Sequence, residues 1–539
     1  MNRWRTVVAW GLAMGWLIAP AHAESGYDAW LRYAPLSASE RAHYDALPAA
    51  VVLLDDSPVG LQAQAELIRG VRGMLGRTLR AGTIRPRENA ILLGTLPELA
   101  KIAPDIKPPQ ELIDDGFWLS HARVLGFDCL VIAARNERGV LYGVFSLLSR
   151  MARNESLAEV HELQNPYAPL RWADQWDNLD GSIERGYAGR SIFFDGGSVR
   201  ADLTRARDYA RLLASIGING CAINNVNANP RVLDDSFLVQ VARVAEVFRP
   251  WGVKLSLSVP VNSPQTAGGL RTFDPLDPDV VEWWRKKVDR IYQLIPDFGG
   301  FVVKADSEGQ PGPSSYGRSP ADAANVIANA LKPHGGILFY RAFVYNHHLD
   351  WTNPKNDRAR AAYDIFYPLD GKFAGNVVIQ IKYGPIDFQV REPVSPLFGG
   401  LPKTNEAVEL QVTQEYTGQQ RHLFYWGPMW QQILNFDLHV NGRPTPVKDL
   451  VAGQRFSRPL GGVVGVVNVG LDEDWLGTPL AMANLFALGR LAWDPSLSAD
   501  EITEEWTRLT FGNDPEVVKT IDGLQLASWS AYEGYTGPL

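Results

Sequence analysis

From about residue 170 onward the chain alternates short apolar runs with amphipathic stretches, and this alternation constrains its fold more than any other feature. Residues 171–175, 220–224, 253–259, 301–304, 337–343, 377–382, 409–413 and 463–467 read as buried strands. Between them Leu203, Ala206, Ala210 and Leu213 recur at helical spacing, with Gly217 placed to end that helix. Residues 237–248 read as another helix, and Val280, Trp284, Val288 and Ile291 mark the next. Strands alternating with helices imply a parallel sheet covered by helices, and about eight strands are what a closed (β/α)8 TIM barrel requires. An open doubly wound sheet is the alternative. No G-x-G-x-x-G follows the early strands, so dinucleotide binding is unsupported.

The flanks differ. Residues 24–165 mix strand-like pieces (49–54, 90–93) with helical ones (61–75, 140–151), which predicts a separate N-terminal α+β domain of accessory role. The barrel is expected over 166–498, where a strongly apolar helix at 480–493 closes it, with a further helical piece at 501–509. Residues 1–23 carry Arg3 and Arg5, an apolar run at 7–18, and small residues at Ala21 and Ala23. This is the pattern of a secretory leader cleaved after Ala23, and it predicts a protein exported to the periplasm or beyond. About a dozen apolar residues are too few to span a bilayer, and no second such run follows, so no membrane partner is expected after cleavage.

Removing that leader takes away two arginines and no acids and moves the net charge from −8 to −10. An acidic surface excludes nucleic acid as a natural partner, because phosphates need a basic face. Cys129 and Cys221 lie far apart in apolar surroundings and read as two buried free thiols.

Active residues of a barrel come from the carboxyl ends of its strands. Beyond 301–304 the chain enters a Gly/Pro loop carrying Glu308, beyond 377–382 it reaches Asp387, and beyond 409–413 it reaches Glu415. Glycoside hydrolysis needs an acid on one side of the bond and a base or nucleophile on the other, so three acids past three strands suit it. Donating a proton near neutral pH calls for a raised pKa at Glu308, from burial or neighbouring carboxylates. An ordinary loop acid is the plainer reading of Glu308 alone.

Lys304 and Arg341 fall on otherwise apolar strands, where a charge is costly unless paired or used. They either form salt bridges to barrel acids or hold the carboxylate of an anionic sugar, Arg341 through its bidentate fork. Trp176 is a floor for a sugar ring or a piece of core. His347 and His348 are adjacent, so their side chains diverge, and no metal site is expected. No G-x-S-x-G elbow or P-loop is present.

At these residues the chain resembles the family 67 α-glucuronidases. Residues 301–313 (FVVKADSEGQPGP), 378–393 (VIQIKYGPIDFQVREP) and 409–416 (ELQVTQEY) are similar, in order, to that family's acid-bearing segments. The resemblance implies an N-terminal α+β domain, a central barrel and a mainly helical C-terminal domain that contributes to homodimers. Family members continue well past residue 539, so 499–539 is expected to be only the start of that helical domain. An apolar face left open on 480–493 would favour aggregation.

The implied reaction removes glucuronic acid or its 4-O-methyl ether, α-1,2-linked to xylose, from xylooligosaccharides (aldouronic acids), with inversion and without a cofactor. By the same resemblance Glu308 matches the general acid, and Asp387 and Glu415 match the pair that activates water. Lys304 and Arg341 match binders of the uronate carboxylate, while Trp176 and Val226 match the pocket lining. A barrel glycosidase of other specificity, such as a hexosaminidase, and a non-catalytic sugar-binding protein are the competing readings.

Overall fold

The computed structural model describes residues 25–344, 350, 352–354 and 357–536. The leader assigned to residues 1–23 and the pair His347-His348 lie outside the described residues.

The N-terminal domain is one six-stranded sheet, formed by β1 (Ala50–Leu53), β2 (Arg80–Thr83), β3 (Ala90–Thr95), β4 (Phe117–Val124), β5 (Phe127–Ala134) and β6 (His161–Gln164) in the order β2-β1-β3-β5-β4-β6. Only β4 runs antiparallel to its neighbours. Helices α1 (Pro58–Leu75) and α2 (Glu137–Ala152) are capped by the side chains of Ser57 and Asn136, which accept from backbone amides of the first turn. They bury one face of the sheet, through Val51, Leu53, Ile91 and Leu93. The β4–β5 hairpin turns on Leu125 (φ 51°) and Gly126 (φ 91°). A leucine in that left-handed position is why the turn is not legible in the sequence.

Beneath the barrel, Asp115 of this domain accepts from Arg171 Nη2 (2.7 Å), Arg138 Nε (2.7 Å) and Asn219 Nδ2 (3.1 Å). Arg171 is fully buried, and its other donors reach the carbonyls of Gly217 and Ala168. A shared pair of buried charges thus fixes the sheet against the barrel floor.

The barrel closes as expected. Its strands are β7 (Leu170–Asp174), β10 (Gly220–Ala222), β11 (Lys254–Ser258), β12 (Gly300–Val303), β13 (Ile337–Arg341), β14 (Val377–Lys382), β15 (Asn405–Gln411) and β16 (Gly462–Val466), all parallel, with β16 pairing back onto β7. A two-stranded ribbon, β8 (Phe194–Asp195) and β9 (Ser198–Val199), sits in the excursion after β7. Covering helices are α3 (Thr204–Ser215), α4 (Asp235–Phe248), α5 (Pro278–Leu294), α6 (Pro320–Leu331), α7 (Arg358–Phe366) and α8 (Gly427–Asn435). Gly217 stands just past α3 at φ 78°, where its placement in the sequence predicts the stop.

The largest departure from an expected span is at β15, which begins at Asn405 rather than 409. Glu409 therefore lies inside the barrel wall, and Glu415 lies four residues beyond the strand. Cys129 and Cys221 are buried and unbridged.

Three helices follow: α9 (Met482–Trp493), α10 (Ala499–Phe511) and α11 (Pro515–Thr536). The apolar helix at 480–493 shows no open face. All of α9 except Arg490 is buried, because it packs between the barrel and α10. Helix α11 then runs to the loops after β14 and β15, where Glu533 pairs with Arg391 and Tyr532 Oη donates to the carbonyl of Tyr416 (3.3 Å). Among the described residues no helix is long and apolar enough to cross a membrane.

Candidate active site

The two-residue period of a strand places alternate side chains inside the barrel. At the lower level these are Trp172, Ala222, Val302, Phe339, Val378, Ala407 and Val464, an apolar plug. Two residues later the same faces carry Asp174, Lys304, Arg341, Gln380 and Glu409, and above them Lys382. The interior changes from hydrocarbon to charge at the carboxyl ends of the strands.

Three cations converge there. Lys304 Nζ, Arg341 Cζ and Lys382 Nζ lie 5.7, 5.7 and 3.5 Å from the ring centroid of Phe343. All three side chains are nearly inaccessible to solvent. Each has an acidic partner: Lys304 pairs with Glu308, Lys382 with Asp387, and Arg341 with Glu409. Lys304 also donates to Asn227 Oδ1 (2.8 Å), and Tyr416 Oη donates to the other oxygen of Asp387 (3.1 Å). Glu415 accepts from Gln411 Nε2 (2.8 Å) and pairs with Arg185 Nε (2.5 Å).

Burial disfavours the charged form of an ammonium, and Arg341 adds repulsion, so Lys304 and Lys382 are both held below the ordinary lysine value despite their carboxylate partners. At Glu308 burial pushes the carboxyl up, but the hydrogen-bonded Lys304, with Lys382 beyond it, outweighs this and leaves it below the usual range; Asp387 opposes them. The raised pKa expected of a proton donor is therefore absent from the unliganded site. Asp174, beneath the cations, is pushed up to about 8 by burial and by Glu409.

The expected residues are brought together, and two of them, Arg341 and Trp176, also have partners within the barrel. Arg341 Nε and Nη2 both donate to Glu409, at 2.8 and 2.5 Å, so its bidentate fork faces a barrel acid and not an incoming carboxylate. This is the salt-bridge alternative weighed from sequence. Trp176 is buried at 6 % exposure within the barrel's inner apolar cluster, alongside Val226, and Arg341 lies 5.4 Å from its ring. It serves as core as well as wall.

Sequence reasoning missed Lys382, although a lysine at the end of an apolar strand is the same signal that singled out Lys304. It also missed Arg185, Asn227 and Phe343, which lie in loops and carry no local pattern. Among the described residues no cluster of three or more metal-ligating side chains occurs.

Residues 29–147, 150–475 and 476–539 match the family descriptions "Glycosyl hydrolase family 67 N-terminus", "Glycosyl hydrolase family 67 middle domain" and "Glycosyl hydrolase family 67 C-terminus". The chain is 51% identical over 526 residues to the "Probable alpha-glucuronidase A" of Aspergillus clavatus, covering 96% of this chain and 61% of that one. It is 50% identical over 535 residues to the "Alpha-glucuronidase" of Hypocrea jecorina, covering 97% and 62%. The chain thus spans about three fifths of the length of the curated relatives it matches. A solved GH138 enzyme targeting pectin rhamnogalacturonan II shares the fold at a TM-score of 0.52 and 13% identity, covering 90% of this chain and 55% of that one.

Proposed function

The chain belongs to glycoside hydrolase family 67, and we propose that it removes glucuronic acid or its 4-O-methyl ether, α-1,2-linked to xylose, from xylooligosaccharides, with inversion at the anomeric carbon. The observation that carries this reading is the convergence of Lys304, Arg341 and Lys382 on Phe343. Buried cations at the mouth of a barrel suit an anionic sugar and have no use for a neutral one.

In this reading the sugar's carboxylate is received by the lysine ammoniums, while Arg341, held by Glu409, contributes its charge and a remaining edge. Once Lys304 is shared with the substrate, its hold on Glu308 weakens, and that carboxyl rises toward the range of a proton donor. Glu308 then protonates the glycosidic oxygen as the bond to the anomeric carbon breaks. A water on the opposite face, deprotonated by the pair Asp387 and Glu415, forms the new bond. Inversion asks for roughly 6.5–9.5 Å between the acid and the base side, so that the water fits. Trp176 and Val226 line the pocket.

The printed names of the fungal relatives support the glucuronidase reading. The charged start and the apolar run of residues 7–18 support export.

Proton NMR of the purified chain acting on 4-O-methylglucuronosyl-xylotriose tests the reaction. First appearance of the β-anomer of the released uronic acid is expected. First appearance of the α-anomer would overturn inversion, and cleavage of the matched neutral glycoside at equal rate would overturn the uronate specificity.

A further inference from the structure

The loop after β7 touches both halves of the site with two consecutive side chains. Glu184 accepts from Asn225 Nδ2 (2.7 Å) and Asn227 Nδ2 (3.1 Å), and Asn227 Oδ1 in turn accepts from Lys304, the partner of Glu308. Arg185 points the other way and pairs with Glu415. Their backbone is held with unusual care. Arg185 sits in the left-handed region at φ 55°, a conformation a non-glycine residue keeps only when its surroundings enforce it.

Those surroundings are the ends of two barrel strands. Thr413 Oγ1 donates to the Arg185 carbonyl (2.7 Å), and Asn468 Nδ2 donates to the carbonyls of both Glu184 (2.9 Å) and Arg185 (3.2 Å). Asn468, itself buried and at φ 56°, also accepts from the Trp176 amide (2.8 Å). Six hydrogen-bonding atoms are thus arranged so that neighbouring side chains of opposite charge splay toward opposite walls.

We propose that Glu184 and Arg185 are positioning residues that set the acid side and the base side of the site against one another: Glu184 fixes Lys304, and hence Glu308, through Asn227, while Arg185 fixes Glu415. The proposal rests on the hydrolytic reading above and names residues that act through others, touching no substrate. Each side chain has a definite electrostatic consequence. The charged and titratable groups about Glu415 are Arg185, Tyr187 and Tyr416. Those about the Lys304–Glu308 pair are Glu184, Arg341, Lys382 and Asp387. Removing Arg185 takes from Glu415 the cation it pairs with. Removing the charge of Glu184 leaves Lys304 to pair more fully with Glu308, so Glu308 loses its proton at lower pH.

The test has two readouts. In steady-state kinetics on a uronosyl xylooligosaccharide, Arg185→Met should lower kcat with KM little changed, and Arg185→Lys should restore most of it. In pH profiles of kcat, Arg185→Met should lower kcat by about tenfold and move the acidic limb up, while Glu184→Gln should move the basic limb down. A merely structural role would lower the active fraction and the melting temperature without moving either limb. An unchanged kcat in Arg185→Met, or limbs that stay in place in both variants, overturns the proposal. Failure of the unaltered chain to release uronic acid would sink the hydrolytic reading instead.

Discussion

The guanidinium of Arg341 is held edge-on by Glu409, with Nε and Nη2 donating at 2.8 and 2.5 Å to the two carboxylate oxygens inside the barrel wall. Gln380 Nε2 adds a third donor to the same carboxylate, at 2.7 Å. Arg341 and Glu409 are almost wholly inaccessible. Arg341 stays charged at the floor of the site, and only its pairing with Glu409 makes the burial of either charge tolerable.

Glu409→Gln should therefore destabilise the chain strongly, by about 3–5 kcal/mol, because it leaves a buried cation without its counter-charge. Denaturant unfolding of the two proteins measures this. Burial opposes ionisation of Glu409, yet Arg341 holds its carboxyl below the ordinary value. Its contribution is thus complete above the unfolded glutamate pKa of about 4.3 and is lost as pH falls below it. The difference between wild type and variant should shrink under acid.

Lys304→Met removes the ammonium that holds the Glu308 carboxyl down. With the cation gone, burial and Asp387 act unopposed by it, so the Glu308 pKa rises. The basic limb of kcat/KM should move to higher pH, and KM for uronosides should increase about tenfold or more through loss of a charged contact. An unmoved basic limb would detach Glu308 from the role of acid.

Glu308→Ala should lower turnover of natural xylosides by about 100-fold to 10 000-fold, since their leaving group requires a proton. Aryl glucuronides with good leaving groups should lose far less. Parallel kinetics on the two substrates give the answer, and equal losses would show that Glu308 supports structure and not proton transfer.

Asp174→Asn should stabilise the chain near neutral pH. Burial and Glu409 push Asp174 up to about 8, so the folded protein keeps a proton that the unfolded chain releases near 3.9. Stability accordingly falls as pH rises from about 4 to about 8, by about 1.4 kcal/mol per unit for one proton. The asparagine variant lacks that slope. Melting temperatures at pH 5 and pH 8 should converge at the lower value and separate at the higher one.

Much was legible in the residues themselves. The alternation of apolar strands and amphipathic helices is a local pattern, and its eight repeats suit a closed parallel barrel. Glu308, Asp387 and Glu415 could be picked out because the ends of barrel strands are known positions for chemistry, and their flanking motifs are long. Lys304 stood out because a charge on an apolar strand is costly wherever it sits.

Pairing could not be read this way, because it depends on register across the barrel. The register that sets Glu409 beside Lys382 on the wall brings it within reach of Arg341, and it takes the fork that an incoming carboxylate was expected to occupy. Which cation faces which acid likewise depends on loops that meet only in space: Arg185 lies 230 residues from Glu415 in the chain and 2.5 Å from it in the fold. Charge type and strand position are properties of short stretches, so the sequence alone determined the barrel and its acids. Partner, burial and the resulting pKa arise from groups distant in sequence, and only the tertiary structure decided them.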